Sequence, residues 1–343
     1  MPAECGFIWR MIEGNRRRRL VVVVLVAALG VAGIGWAGLA YAGKRQQDAW
    51  QEGHAAVLRA DCAAAAPRLR TASDGVLGTD ADVAALADAD TARCARVQQL
   101  ERDNPAPDAR LGALTSLVAL GDDETLHTLA RGTGRRLLAA NPPARLATDV
   151  GCRDAISVAN LLATPGDGAP ELLGACVARA DRAGDRDAVA TLGAFFLKRH
   201  PKDPLSTDVT ARYAKALIGK ARAGAQPMGD ALEGAASGAP AGQGFIEIQN
   251  NTRRTMTVVI SGPVSRIQTV PRCPGCTVVR QERGACERGP QGKLQRFAVP
   301  AGRYTVLVGL HNETEYSPAS LNTIGTWTVR AAHSSRTCFI SPE

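Results

Sequence analysis

The sequence predicts a multidomain chain made of one transmembrane helix, an all-α helical-repeat-like region, a linker and an all-β sandwich. Three observations carry this reading. An uncharged apolar run from Leu20 to Ala42 follows Arg16-Arg17-Arg18-Arg19. Apolar spacing is helical from about Gln46 to Ala223 and alternates from Phe245 onward. Between these regions the chain is dominated by Gly, Ala, Pro, Ser and Gln. The expected borders are therefore 1–19 for a cytoplasmic tail, 20–42 for the membrane helix, 46–223 for the helical region, 224–244 for a flexible linker and 245–343 for a disulfide-containing sandwich.

A bilayer core takes about 20 apolar residues in a helix, and lipid forces backbone hydrogen bonds inside the segment. That constraint selects helix even for Val21-Val22-Val23-Val24. Arg10 and Arg16 to Arg19 precede the run, whereas only Lys44 and Arg45 follow it closely. The positive-inside bias then predicts a single-pass signal-anchor with a cytoplasmic N-terminus and an extracytoplasmic bulk. A cleaved signal ending at Ala40-Tyr41-Ala42 and a twin-arginine export signal are the competing readings, and each exports residues 44–343.

The formal net charge is +8 over 343 residues, and the arginine cluster contributes much of it. Anionic lipid is a sufficient partner for that cluster. No Lys/Arg stripe is interleaved with aromatics, so the expected partners are the bilayer and an unidentified envelope protein, with no nucleic acid.

Of the nine cysteines, Cys5 falls in the tail. Cys62, Cys94, Cys152, Cys176, Cys273, Cys276, Cys286 and Cys338 form an even set on the exported side, and an oxidising compartment favours disulfides among them. Val57, Leu58, Cys62, Ala65 and Leu69 share one helical face, as do Val83, Leu86, Ala87, Cys94 and Val97. Adjacent antiparallel helices would pair Cys62 with Cys94. The same logic pairs Cys152 with Cys176, whose face holds Leu172, Leu173, Val177 and Ala180.

Leu111, Leu114 and Val118 mark a further helix, and Leu126, Leu129, Leu137 and Leu138 another, stopped by Asn141-Pro142-Pro143. Later, Val189, Leu192, Phe195 and Phe196 form a stripe that resumes at Val209, Tyr213, Ala216 and Leu217. Between them lies His200-Pro201-Lys202-Asp203-Pro204. Helix-turn-helix units at this spacing suggest an α-solenoid. Ala188 to Ala216, above all Phe196 to Pro204, resembles the tetratricopeptide-type units of bacterial envelope proteins, with His200 standing where those units usually carry an aromatic. The resemblance implies a peptide- or protein-binding scaffold.

Eight short segments beyond the linker read as strands: Phe245 to Gln249, Thr255 to Ile260, Ile267 to Val270, Thr277 to Arg280, Leu294 to Val299, Tyr304 to Leu310, Thr326 to Arg330 and Thr337 to Ile340. Val299-Pro300-Ala301-Gly302-Arg303-Tyr304-Thr305-Val306 looks like the turn-to-strand step of PEGA-type and immunoglobulin-like surface modules. That resemblance implies a tight turn at Gly302 and a Tyr304 ring packed on the sandwich edge.

Cys273-Pro274-Gly275-Cys276 admits three chemistries. A redox dithiol is usually set at a helix N-terminus, and the surroundings here read as strands and turns. A zinc site would take Cys273, Cys276, Cys286 and Cys338 as four thiolates. The third reading is two structural disulfides, one tying the loop from Cys273 to Cys286 and one anchoring the last strand through Cys338.

His54, His127, His200, His311 and His333 are scattered without H-x-x-x-H spacing, and no G-x-S-x-G occurs. Asp88-Ala89-Asp90 and Asp122-Asp123-Glu124 read as acids at helix starts. The expectation is therefore a non-enzymatic, membrane-anchored interaction scaffold with no catalytic, cofactor-binding or metal-binding residues and no cofactor. The alternatives are a thiol-disulfide oxidoreductase using Cys273 and Cys276, or a ligand-sensing receptor subunit.

Overall fold

The computed structural model describes residues 38–74, 80–119, 121–162, 166–236, 238–276, 292–311 and 322–339. The chain divides into two compact units, Met1–Leu137 and Leu138–Glu343.

In the first unit, helix α1 is described over residues 38–58. It is followed by α2 (Cys62–Ser73), α3 (Ala81–Asp103), α4 (Pro107–Val118) and α5 (Glu124–Ala140), the last of which runs past the border between the units. Sequence spacing joined Val57 and Cys62 into one helical stripe, but the chain breaks between them. Ala60 takes a left-handed conformation at φ 59°, and Asp61 caps α2 by accepting a hydrogen bond from Ala64 N at 3.0 Å. Val57 is therefore buried, whereas Leu58 faces out. Buried Gln46 fastens α1 to the next helices: its amide donates to the carbonyls of Ala72 and Asp80, and its oxygen accepts Asp80 N–H.

Among the described residues no helix is long and apolar enough to cross a membrane. The single transmembrane helix, the single-pass localisation and the fold class built on them are corrected on this finding. Residues 20–37 of the apolar run and the topology residues Arg16, Arg17, Arg18 and Arg19 lie outside the described residues. The described remainder of the run opens α1, where Leu39 and Tyr41 are 44% and 69% exposed. Lys44, Arg45, Asp48 and Glu52 then give that helix a charge on nearly every turn.

The second unit begins with short helices α6 (Pro143–Leu146), α7 (Asp149–Arg153) and α8 (Ala155–Leu162). Three longer ones follow, α9 (Ala169–Ala183), α10 (Arg186–Arg199) and α11 (Ser206–Ala221). Gly184, at φ 75°, ends α9 in the left-handed conformation that glycine adopts without a Cβ penalty. Asp185 caps α10 by accepting from Ala188 N at 3.0 Å. A Cβ on Gly193 would stand 3.0 Å from Tyr213 Cβ, so glycine here lets α10 and α11 approach closely. Phe196 is fully buried, and its ring lies 5.5 Å from that of His200, the residue in the aromatic's place.

Among the described residues nine strands follow: β1 (Gln226–Pro227), β2 (Leu232–Ala235), β3 (Gln243–Asn250), β4 (Thr255–Ser261), β5 (Arg266–Val270), β6 (Leu294–Pro300), β7 (Gly302–His311), β8 (Asn322–Val329) and β9 (His333–Phe339). They form a five-stranded sheet ordered β1-β8-β7-β4-β5 and a four-stranded sheet ordered β2-β9-β3-β6. Both sheets are mixed, because β1 runs parallel to β8 and β3 parallel to β9. Ile246, Ile248, Phe297 and Val299 from one sheet share a core with Met256, Val258, Ile260, Tyr304, Val306, Val308, Trp327 and Val329 from the other.

The flexible linker expected at 224–244 is corrected: it supplies β1, β2 and the start of β3. Met228 N–H donates to Ile324 O at 2.7 Å, and Ala236 N–H donates to Ala332 O at 2.9 Å. Small residues make this docking possible. Gly325 leaves room for Met228, whose Cβ would lie 2.9 Å from any Cβ added there.

Helix α11 packs on the outer face of the five-stranded sheet. Ile267, Val259, Leu307 and Ile324 stand directly opposite one another across β5, β4, β7 and β8. Ala214 and Ile218 cover this row, joined by Leu217 and Ala221. The last helix and the sandwich thus share a core instead of being joined by a tether.

Tyr304 also departs from expectation. Its ring is fully buried in the core rather than on the edge, and its hydroxyl donates to Pro300 O at 2.9 Å. Burial pushes the phenol above its usual pKa, partly offset by a hydrogen bond from the Val264 backbone and by the Arg266 charge. Gly302 opens β7 and makes space for Pro263, whose Cγ would sit 2.7 Å from an added Cβ.

Candidate functional site

Three places gather chemically capable side chains. The first lies at the end of the sandwich where the β3–β4 turn meets the segment after β5. Asn250, fully buried, acts as a hub. Its amide nitrogen donates to Arg254 O at 2.9 Å, Pro271 O at 3.0 Å and Val270 O at 3.4 Å. Its oxygen accepts from Thr252 N at 3.0 Å and Thr252 Oγ1 at 2.7 Å. The turn built this way presents Thr252 O to Cys273 N–H at 2.8 Å. Cys273 then bonds to Cys276, their Cα atoms 5.4 Å apart. Pro274 and Gly275 are exposed between them, Cys273 is half-buried, and Cys276 is 3% exposed.

The sequence leaves the pairing of the four C-terminal cysteines open, and the structure pairs Cys273 with Cys276. Cys338 is also disulfide-bonded, while Cys286 lies outside the described residues. Among the described residues no group of three or more His, Cys, Asp or Glu is placed to hold a metal ion.

The second place lies in the first unit, where Asp90 and Arg93 of α3 meet His54 of α1 and Asp123 at the start of α5. His54 on α1 donates through Nδ1 to Asp90 Oδ2 at 2.8 Å, and Arg93 Nη1 donates to Asp90 Oδ1 at 2.7 Å. Arg93 Nε reaches Asp123 Oδ2 at 2.8 Å, and Asp123 Oδ1 in turn caps α5 at Leu126 N. Burial opposes charge on both partners of this last pair. The hydrogen bonds that it donates to Asp123 and then to Asp90 nevertheless hold the Arg93 guanidinium above its usual pKa. The Arg93 hydrogen bond and the Leu126 N–H hold Asp123 below the usual carboxylate range. Trp50 stacks on His54 with ring centroids 5.4 Å apart, and its buried Nε1 has no hydrogen-bond partner.

A histidine anchored at Nδ1 by a carboxylate presents Nε2 as a proton acceptor, half of a general-base arrangement. Among the described residues no hydroxyl or thiol completes it, and the Asp90 charge is shared with Arg93. Asp90 sits in the middle of α3, not at a helix start as the sequence suggested. The signal for its burial was present. Asp90 occupies the inward stripe between Ala87, Cys94 and Val97, all of which are buried.

The third place is the outer face of the four-stranded sheet. Glu247 stands opposite Arg296 on β6 and Arg336 on β9. It accepts from Arg296 Nε at 2.7 Å, and Arg336 Nη2 donates to Gln249 Oε1 at 2.6 Å. Arg296 also lies over the Phe245 ring at 5.1 Å. This is a cross-strand charge ladder that holds register.

The remaining cysteines join helices. Cys62 at the start of α2 bonds Cys94 in α3, and Cys152 in α7 bonds Cys176 in α9, with Cα separations of 5.6 and 5.4 Å. His127 Nε2 pairs with Gly121 O and His333 Nδ1 with Ala331 O, so these two histidines serve local backbone geometry.

Comparison of the chain with protein-family models, with curated proteins and with solved structures finds no match. The class of protein is thus defined by its own architecture: disulfide-stapled helices and a mixed-sheet sandwich that shares a core with the last helix.

Proposed function

We propose that this chain is an interaction scaffold whose α9–α11 array engages a protein partner. The observation that supports this reading is the succession of three helices of 15, 14 and 16 residues. Short turns join them, as in helical-repeat binding proteins. The sheet beneath α11 stiffens the array, and a stiff array loses little conformational entropy when it binds. The outward side chains of this region carry both signs of charge. Arg179 pairs with Asp149, Arg212 with Asp181 and Asp208, and Lys220 with Asp187. Such a surface suits a partner with a mixed polar face better than a polyanion.

Site-specific photocrosslinking in the full chain tests the proposal. A photoreactive residue at exposed Thr191 or Ala194 of α10 is compared with one at exposed Gln268 or Thr269 of β5. A discrete protein adduct is expected from the helix positions. An adduct formed only from the strand positions would move the binding surface to the sandwich and overturn the assignment.

A further inference from the structure

We propose that Cys273 and Cys276 form a thiol–disulfide exchange site for a dithiol, with Cys273 as the sulfur attacked and Cys276 as the sulfur released. Four observations converge on it.

First, the bond links residues only 3 apart, whereas the helical bonds span separations of 32 and 24. It therefore constrains the unfolded chain much less than they do. Second, the loop has other anchors. The Asn250 hub binds the carbonyls of Val270 and Pro271, and Thr252 O holds Cys273 N–H, so the start of the loop stays placed when the sulfurs part. The helical bonds, by contrast, each join two helices.

Third, the two sulfurs differ in access. Exposed Pro274-Gly275 and half-buried Cys273 face an incoming thiol, while Cys276 at 3% exposure is shielded. Exchange needs one reachable sulfur and one that stays behind as the leaving group. Fourth, the described sequence leading into the loop is basic. Residues 250–276 contain Arg253, Arg254, Arg266 and Arg272 and no Asp or Glu. Arg253 and Arg254 directly follow the residue that holds Cys273, and Arg272 precedes it. Positive charge stabilises the thiolates that exchange forms and consumes.

The step balances without a metal or cofactor. A thiolate of the dithiol attacks Cys273 Sγ, and a mixed disulfide forms there as the Cys273–Cys276 bond breaks. Its electron pair departs on Cys276 Sγ, which takes up a proton. The second thiol of the reagent then attacks the reagent's own sulfur in the mixed disulfide and releases Cys273 as a thiol. Two electrons and two protons have passed to the protein, and the reagent leaves as a disulfide. This inference stands apart from the helical binding surface, and either can fail without the other.

Titration of the folded full-length chain with dithiothreitol tests it, followed by acid quench, alkylation and peptide mapping. Cys273 and Cys276 are expected to open at about ten-fold less reagent than Cys62–Cys94 and Cys152–Cys176, with unchanged circular dichroism. Opening of all three bonds together, or of this one only on unfolding, overturns the proposal. As a second measurement, C276S and C273S are treated with a disulfide-bearing thiol probe. Rapid labelling of Cys273 in C276S and about ten-fold slower labelling of Cys276 in C273S is expected. Equal rates refute the assigned roles. If either variant misfolds, the wild-type titration decides alone.

Discussion

The helical and sheet regions hold themselves together by different means. The helices bury many alanines, among them Ala56, Ala60, Ala65, Ala72 and Ala87, beside larger side chains such as Leu69, Leu111, Leu129, Leu172 and Phe196. Among the described residues the core between the sheets holds no buried alanine and is built from larger side chains, including Ile246, Ile248, Phe297, Tyr304 and Trp327. Burial stabilises in proportion to apolar area removed from water, so each buried alanine contributes less than a buried Ile or Phe. Two disulfides of long sequence separation lie among the helices, and Cys338 in β9 is bonded as well. The helical pair restricts the unfolded chain in its alanine-rich region. The difference teaches that one chain can combine many small buried contacts under covalent restraint with fewer, larger ones between two sheets.

The most severe way to break this contrast is to remove the helical restraint. Replacing Cys62 and Cys94 by Ser, and Cys152 and Cys176 likewise, is expected to cost about 3–4 kcal/mol for each bond, read from urea unfolding under non-reducing conditions. A loss near zero would mean the alanine core suffices. Next in size is Leu307→Ala under α11, expected to cost about 2–5 kcal/mol by the same measurement. A smaller loss would show that helix and sheet are joined by something other than their shared apolar row.

Replacing Cys273 and Cys276 by Ser sharpens the comparison from the sheet side, with an expected loss of about 2 kcal/mol or less. A loss as large as that from a helical pair would make this bond a restraint of the same kind. Tyr304→Phe removes the hydroxyl's bond to Pro300 O and the one it accepts from the Val264 backbone, and is expected to cost about 0.5–1.5 kcal/mol.

The smallest effect is pH-dependent. Asp123 titrates lower folded than unfolded, so its contribution is present above its unfolded value and is lost as pH falls through the folded one. The melting-temperature gap between wild type and Asp123→Asn should therefore be open at about pH 6, above the ordinary carboxylate range, and narrow as pH falls through and below that range. A gap that persists in acid would mean the pair with Arg93 contributes nothing by its charge.

Periodicity made the longer helices legible, and alternation made β3 to β9 legible to within a few residues; β1 and β2 were missed, and the expected strand from Thr277 to Arg280 lies outside the described residues. Neither pattern revealed the seat of α11. Val258-Val259-Ile260 and Val306-Leu307-Val308 are unbroken apolar triplets, and a strand apolar on consecutive positions is covered on both faces. Read that way, the triplets ask for a layer outside the sheet. The segment 224–244 was misread because low apolar content resembles a tether. In fact it pairs with β8 and β9, with Gly244 set close against the Arg330 and His333 carbonyls and Gly325 of β8 making room for Met228.

The polar cluster around Asp90 was hidden for another reason. Its members come from α1, α3 and the start of α5, and only the folded chain brings them together. Local motif spacing cannot show such a cluster, although a carboxylate on an apolar stripe is a prompt to look. At the Cys-Pro-Gly-Cys loop the residues were plain, but their pairing and the Asn250 hub were not, because the hub's carbonyl partners lie up to 21 residues away.

The row Ile267, Val259, Leu307 and Ile324 beneath α11 has a dynamic consequence. The helix cannot lift without exposing apolar surface on four strands at once. Its backbone amides should therefore exchange hydrogen only through the same sub-global opening that frees β4 and β7. Helix and sheet would then breathe as one cooperative unit.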